Sequence, residues 1–163
     1  MTPKLRNMTS LYLVREDAVL CLYRIGSRVA NKKYIGSCGG HFEENELNDP
    51  QKCILREMQE ELGLKENDIV GMSLRYITHR LAKGEIRQNY YFFARLKEEK
   101  ELSSNEGQLR WVPFEEVPTL AMPVSAKHMI LHYLSTGRFD NHIYCGITEE
   151  SGTNFISMVE FEG

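Results

Sequence analysis

The chain has 163 residues, of which 42% are hydrophobic and 26% charged, with a formal net charge of −3. That is enough chain to bury a sizeable core, and the composition is that of an ordinary globular protein. The slightly acidic balance excludes the basic footprint of a duplex-binding protein and leaves a small phosphorylated ligand open.

Met1–Ser10 carries Lys4 and Arg6 but is not followed by the apolar stretch of a signal peptide. No apolar run approaches the ~18 residues of a membrane span. Cys21, Cys38, Cys53 and Cys145 form neither a CxxC pair nor a zinc-like cluster. Reduced thiols and a cytoplasmic location are the expectation. Asn7-Met8-Thr9 matches a glycosylation sequon, which without a secretory route is read as chance.

In chain order, MTSLYLVRE and AVLCLYRIG are rich in β-formers and separated by Glu16-Asp17, which predicts two strands. GSRVANKK reads as a basic loop, and YIGSCGGHF as a short strand running into glycines. A helix with clear punctuation follows. Asp49 suits the N-cap, Pro50 the first helical position, and Gly63 the left-handed position after the last turn. Ile54, Leu55, Met58 and Leu62 share the face expected to meet a core.

Beyond it, GMSLRYITHRL and EIRQNYYFFARLKE predict two long strands joined across Lys83-Gly84, and GQLRWVPF another strand. VSAKHMILHYLSTG has helical spacing and ends in Gly137; its His128 and His132, one turn apart and without a third ligand, are read as helix surface. HIYCGI and NFISMVEF predict strands on either side of Ser151-Gly152. Strands interrupted by helices point to an α/β fold, a mixed sheet with helices packed against it, in one domain spanning 1–163.

The predicted helix carries Glu57, Glu60 and Glu61 at spacings of three and four, so their carboxylates share a face. Like charges so placed weaken a helix by a few tenths of a kcal/mol per pair, roughly, and call for a positive partner. A run of charge is usually a solvated face. Oxygen ligands grouped in this way also suit Mg²⁺ or Mn²⁺, which would serve a diphosphate as well. Gly39-Gly40 can bring backbone close to a ligand, and Glu43, Glu44 and Glu46 follow directly.

Gly40, five residues, Glu46, and then Arg56-Glu57-Met58-Gln59-Glu60-Glu61-Leu62-Gly63-Leu64 resemble the Nudix box. Nine residues rather than seven separate Glu46 from Arg56; the extra two fall around LNDP, before the helix cap. The departure leaves the role of Glu46 open. The resemblance implies an α/β/α sandwich around a mixed sheet and metal-dependent hydrolysis of a nucleoside diphosphate linked to another group. It implies Glu57, Glu60, Glu61 and the Gly40 carbonyl as metal ligands, with Glu60 or Glu61 also orienting water. Arg56 would orient a ligating carboxylate, or offset helix charge.

Glu106, in the loop before Trp111, is a candidate base or an exposed loop acid. Arg24 and His41 are candidate phosphate contacts. His79, Arg80 and Arg87 line the cleft or decorate a strand. Trp111, Tyr90 and Phe92 stack a base or fill the core. The remaining organisation is similar to the compact nucleoside triphosphate branch, including enzymes that cleave 8-oxo-dGTP to monophosphate and pyrophosphate. The alternatives are ADP-ribose, another nucleotide sugar, a non-nucleotide diphosphate, or a nucleotide-sensing module without turnover. A small-molecule partner is expected and neither duplex nor membrane; a homodimer is left open.

Overall fold

The computed structural model describes residues 1–26 and 31–163. The expected basic loop at 26–33 falls in part on residues 27–30, outside the described residues.

The strands are β1 (Lys4–Val14), β2 (Ala18–Arg24), β3 (Lys33–Ile35), β4 (Cys38–His41), β5 (Ile69–Ala82), β6 (Glu85–Leu96), β7 (Gln108–Pro113), β8 (Tyr144–Glu149) and β9 (Gly152–Ser157), and the helices are α1 (Pro50–Leu62) and α2 (Val124–Ser135). The strands join in one mixed sheet of order β3-β2-β1-β6-β5-β8-β9, with β4 also on β1 and β7 also on β2. β1 pairs with β6 in parallel from Lys4↔Glu85 to Leu13↔Ala94, and β5 pairs with β8 in parallel. The hairpins at Lys83-Gly84 and Ser151-Gly152 stand where the turn residues predict them.

Alternation along the central strands builds two cores. Leu11 and Leu13 of β1, Leu20 of β2 and Phe92 and Ala94 of β6 face α1, where Ile54, Met58 and Leu62 cover them. Tyr12, Val14, Val19, Cys21, Tyr91 and Phe93 point to the opposite face, beneath Met129, Ile130 and Tyr133 of α2. A helix on each face makes the α/β/α sandwich, and burial on both sides explains the near-continuous apolar runs in β1 and β2.

Helix α1 has the expected ends. Asp49 accepts from the Lys52 N–H at 3.1 Å, Pro50 starts the helix, and Gly63 closes it at φ +68°. Cys53 is fully buried beside Ile54, Met58 and Leu62, whereas Leu55 only packs at the margin.

Two sequence expectations differ from the structure, and one left open is decided. YIGSCGGHF is two strands: β3 pairs with β2 and β4 with β1. The chain changes partner at Ser37, whose hydroxyl donates to the Leu20 carbonyl (2.6 Å) and accepts from the Leu13 N–H (3.0 Å), joining β1 and β2 where they separate. His128 and His132 turn toward the sheet rather than to solvent: His132 Nδ1 lies 2.7 Å from the Tyr76 hydroxyl, and His128 Nδ1 lies 2.8 Å from Thr153 Oγ1. Phe92 is core, while Tyr90 packs on Phe42. Tyr91, between them, points to the other face and into the cleft described below.

Candidate active site

A cleft of about 890 Å³ opens on the sheet between β4, the start of α2 and one end of α1. Gly39, Gly40, His41, Arg56, Glu57 and Glu61 line one side. The face of β1 and β6 bearing Arg6, Met8, Ser10, Asn89 and Tyr91 forms its floor.

The positive partner of the acidic helix face is Arg56. Its guanidinium donates Nε to Glu46 Oε2 at 2.8 Å and Nη2 to Glu46 Oε1 at 2.9 Å, a bidentate pair. Its Nη1 also donates to Glu57 Oε1 at 3.0 Å and Glu60 Oε2 at 3.1 Å, and its Nη2 to the His41 carbonyl at 3.1 Å. One arginine thus ties three carboxylates and β4 together.

Glu46, whose role the lengthened spacing left open, is 1% exposed. A 3-10 turn at Glu44–Glu46 and the turn that follows at Leu47-Asn48, where the extra residues fall, bring Glu46 back under Arg56. Hydrogen bonding to Arg56 holds its carboxyl down at about 2. Replacing Glu46 by Ala takes from the partly buried guanidinium its bidentate partner but leaves it Glu57 and Glu60, so the change costs less than the ~3–5 kcal/mol of an unpaired buried charge. Because the folded value lies below the ordinary 4.5, this stabilisation is complete above pH 4.5 and is lost as pH falls toward about 2. Urea unfolding of the wild type and of Glu46→Ala between pH 2 and 7 should therefore converge at the acid end. A constant difference across that range would be wrong for this pair.

Glu57 and Glu61 present their carboxyls to the cleft. Glu61 Oε2 accepts from the Gly39 N–H at 2.9 Å. Burial first, then the charges of Glu57 and Glu106, push the Glu61 carboxyl up to about 7; burial also raises Glu57, against the pull of Arg56. Gly40 lies against Glu57 so closely that a Cβ there would stand 2.3 Å from Glu57 Oε1. Glu60 is more than half exposed and reaches Arg56 rather than the cleft.

Among the described residues, no three His, Cys, Asp or Glu side chains converge into a ready-made cation cage. Arg56 and the Gly39 N–H hold the carboxylates in its stead. The donor set nevertheless fits a hard divalent cation. Two partly buried carboxyls disfavour their own ionisation, a cation between them would offset that, and the glycine lets backbone come close beside Glu57.

The other sequence candidates divide. Arg24 lines the cleft and pairs with Glu106 at 2.9 Å, and both charges act on Glu61. His41 lines the cleft, and its Nε2 accepts from Arg6 Nε at 2.8 Å, so it is neutral in this arrangement; burial, then Arg6, lowers its pKa. Arg80 and Arg87 line the cleft, and His79, one residue along β5, does not.

Trp111 requires a correction as a substrate contact. It sits in β7 opposite Leu20, on the α1 face of the sheet, with the Arg15 guanidinium 3.8 Å above its ring. It borders a separate hollow with Glu99 and Leu102. The alternation of β7 decides this, since Arg110 and Val112 take the other side. Arg6, Asn89 and Tyr91 are cleft residues that sequence reasoning missed. Their common signal was the two-residue alternation along both β1 and β6, readable only once the two strands are known to pair.

A buried sheet with a helix on each face, and a cleft where a Gly-Gly strand meets a helix of ordered glutamates, define an α/β/α protein whose candidate site is built around carboxylates. A family model described as NUDIX domain matches residues 4–133. The chain belongs to the Nudix family.

Solved structures share the fold. A mutator MutT protein from Bacillus halodurans superposes with a TM-score of 0.61 at 23% identity, covering 93% of this chain and 95% of the other. A MutT protein from Methanosarcina mazei Go1 gives 0.67 at 15% identity, covering 86% and 99%. A NUDIX hydrolase from Nitrosomonas europaea gives 0.69 at 15%, covering 91% and 80%. Among the described residues, no helix is long and apolar enough to cross a membrane.

Proposed function

We propose that this chain is a Mg²⁺- or Mn²⁺-dependent pyrophosphohydrolase that splits a nucleoside triphosphate, with 8-oxo-dGTP as a candidate, into monophosphate and pyrophosphate. The observation that carries the reading is the pairing of Glu57 and Glu61 in the cleft against the bare backbone of Gly40. A bound divalent ion would supply an activated water and neutralise charge on the phosphate oxygens.

Glu57, Glu61 and the Gly40 carbonyl hold the ion in this reading, and Glu60 joins them by leaving Arg56. Arg56 is a positioning residue. It fixes Glu57 through a bond of 3.0 Å and is itself anchored by Glu46, so the helix face keeps its shape when the ion is absent. Arg24 lies where it can meet a phosphate, and its pairing with Glu106 keeps that carboxylate beside Glu61, in position to accept a proton from water. His41, neutral and held by Arg6, is a further phosphate contact. Positioning and electrostatics, rather than a covalent intermediate, do what the residues present allow.

The test is a panel of nucleoside triphosphates, 8-oxo-dGTP and ADP-ribose incubated with Mg²⁺ and read out by product identity. Monophosphate with pyrophosphate is the expected outcome. Tight nucleotide binding with no turnover of any member would make the chain a sensing module instead.

A further inference from the structure

We propose that the cleft holds a second anion site, remote from the carboxylates, which selects diphosphate esters bearing an additional phosphate at their far end. It rests on the reading of the carboxylate cleft above as a metal-dependent site that splits a diphosphate link, and it adds a second substrate class beside the nucleoside triphosphate. The site is a row of three arginines. Arg6 of β1 stands opposite Arg87 of β6, and Arg87 stands opposite Arg80 of β5, so the three lie side by side across adjacent strands, and all three line the cleft.

Like charges directly opposite one another in a sheet are destabilising. Here they share little compensation. Glu85 is 3.6 Å from Arg6 and 3.2 Å from Arg87, and Arg6 gives its Nε to the neutral His41 ring; Arg80 makes no ion pair among the described residues. One carboxylate against three guanidinium groups leaves a net charge of about +2 on a wall whose Arg6 and Arg87 side chains are only about a quarter exposed. Such a surplus is best relieved by a dianionic ligand. Guanidinium groups match phosphate geometry with paired N–H donors.

The position of the row says where that phosphate belongs in the substrate. The next row on the same face is uncharged, Met8 opposite Asn89, and the following one is Ser10 opposite Tyr91. Arg6 precedes Thr9, the partner of Gly40, by three residues, so the strand rise sets its backbone roughly 10 Å along β1 from the glycine, and Arg87 and Arg80 lie one and two strands farther across, on the side of β1 away from β4. A diphosphate held at Glu57 and Glu61 cannot itself reach across that distance with its reacting phosphorus. A second phosphate on the far side of a sugar-sized spacer can.

Two measurements test this. The first compares kcat/KM with Mg²⁺ for 5-phosphoribosyl 1-diphosphate and for ribosyl 1-diphosphate, a pair differing only in the distal phosphate. The second compares the Kd of ribose 1,5-bisphosphate and ribose 1-phosphate by calorimetry; neither has a diphosphate bond to cut. Both ratios should favour the doubly phosphorylated member by about tenfold or more, and both should fall toward one in the Arg80→Gln, Arg87→Gln double variant. If that variant does not fold, Arg80→Gln alone carries the comparison, since among the described residues its guanidinium has no ion-pair partner to lose.

A binding ratio near one, or one unchanged in the variant, overturns the anion site whatever the turnover. A large, variant-sensitive binding ratio without turnover of either diphosphate supports the anion site and overturns the assignment of these diphosphates as substrates, while the nucleotide panel decides the hydrolase reading separately.

Discussion

Glu61→Gln is expected to lower turnover by ~10²–10⁴-fold at saturating Mg²⁺ while the fold survives. The substitution keeps shape and removes charge. A glutamine oxygen can still accept the Gly39 N–H that Glu61 takes at 2.9 Å, so β4 stays in register with α1. The lost charge is one that folding disfavours, because burial and the neighbouring Glu57 and Glu106 carboxylates raise Glu61 to about 7. In chelator, therefore, the melting temperature of the variant should not lie below that of the wild type. Glu60→Gln, at a more exposed position bonded to Arg56, should also reduce turnover if that carboxylate turns to the ion. Normal rates in both variants would remove the carboxylate face from the chemistry. Reduced rates accompanied by a large fall in melting temperature would make it a structural feature.

Gly40→Ala should be the second large effect, and it separates close approach from simple glycine flexibility. The added methyl would stand 2.3 Å from Glu57 Oε1 and 2.5 Å from its carboxyl carbon. The obstacle is the end of a flexible side chain, so the backbone can stay while Glu57 is driven from its place. Overpacking of this kind costs about 1–3 kcal/mol, but the displaced carboxylate leaves the cleft one ligand short. Weaker Mg²⁺ binding and a loss of turnover of ~10²-fold or more are expected in a folded protein.

Gly39→Ala provides the contrast. There the methyl would meet the Thr9 carbonyl oxygen at 2.3 Å, in the β1–β4 ladder itself, and the expected result is failure to fold. Circular dichroism, thermal melts and an Mg²⁺ titration distinguish the two variants. A Gly40→Ala protein with wild-type Mg²⁺ affinity and turnover would sink the assignment.

Much of the molecule was legible along the chain. Asp49, Pro50 and Gly63 marked both ends of α1 because capping and the left-handed terminus depend on residues within one turn. Lys83-Gly84 and Ser151-Gly152 marked hairpins for the same local reason. The clustering of Glu57, Glu60 and Glu61 followed from helical geometry alone.

The partner choices did not follow. Ser37 ends one strand and leads into another because β1 and β2 separate above it, a fact about two other segments. Trp111 belongs to the α1 side, and His128 and His132 face inward, because pairing and packing select which alternate side chain is covered.

The sequence by itself determined where α1 begins and ends, which of its faces is apolar, and that three carboxylates project together. All of these rest on interactions between residues a few positions apart. Only the tertiary structure decided that Arg56 holds Glu57 and Glu60 with Glu46 beneath it, that Gly40 touches Glu57, and that Arg6 stands beside Arg87. The contacts of Arg56 with Glu46, of Glu57 with Gly40 and of Arg6 with Arg87 join positions ten, 17 and 81 residues apart. They exist because sheet register and the burial of two hydrophobic faces bring the segments together, and no local preference encodes that choice.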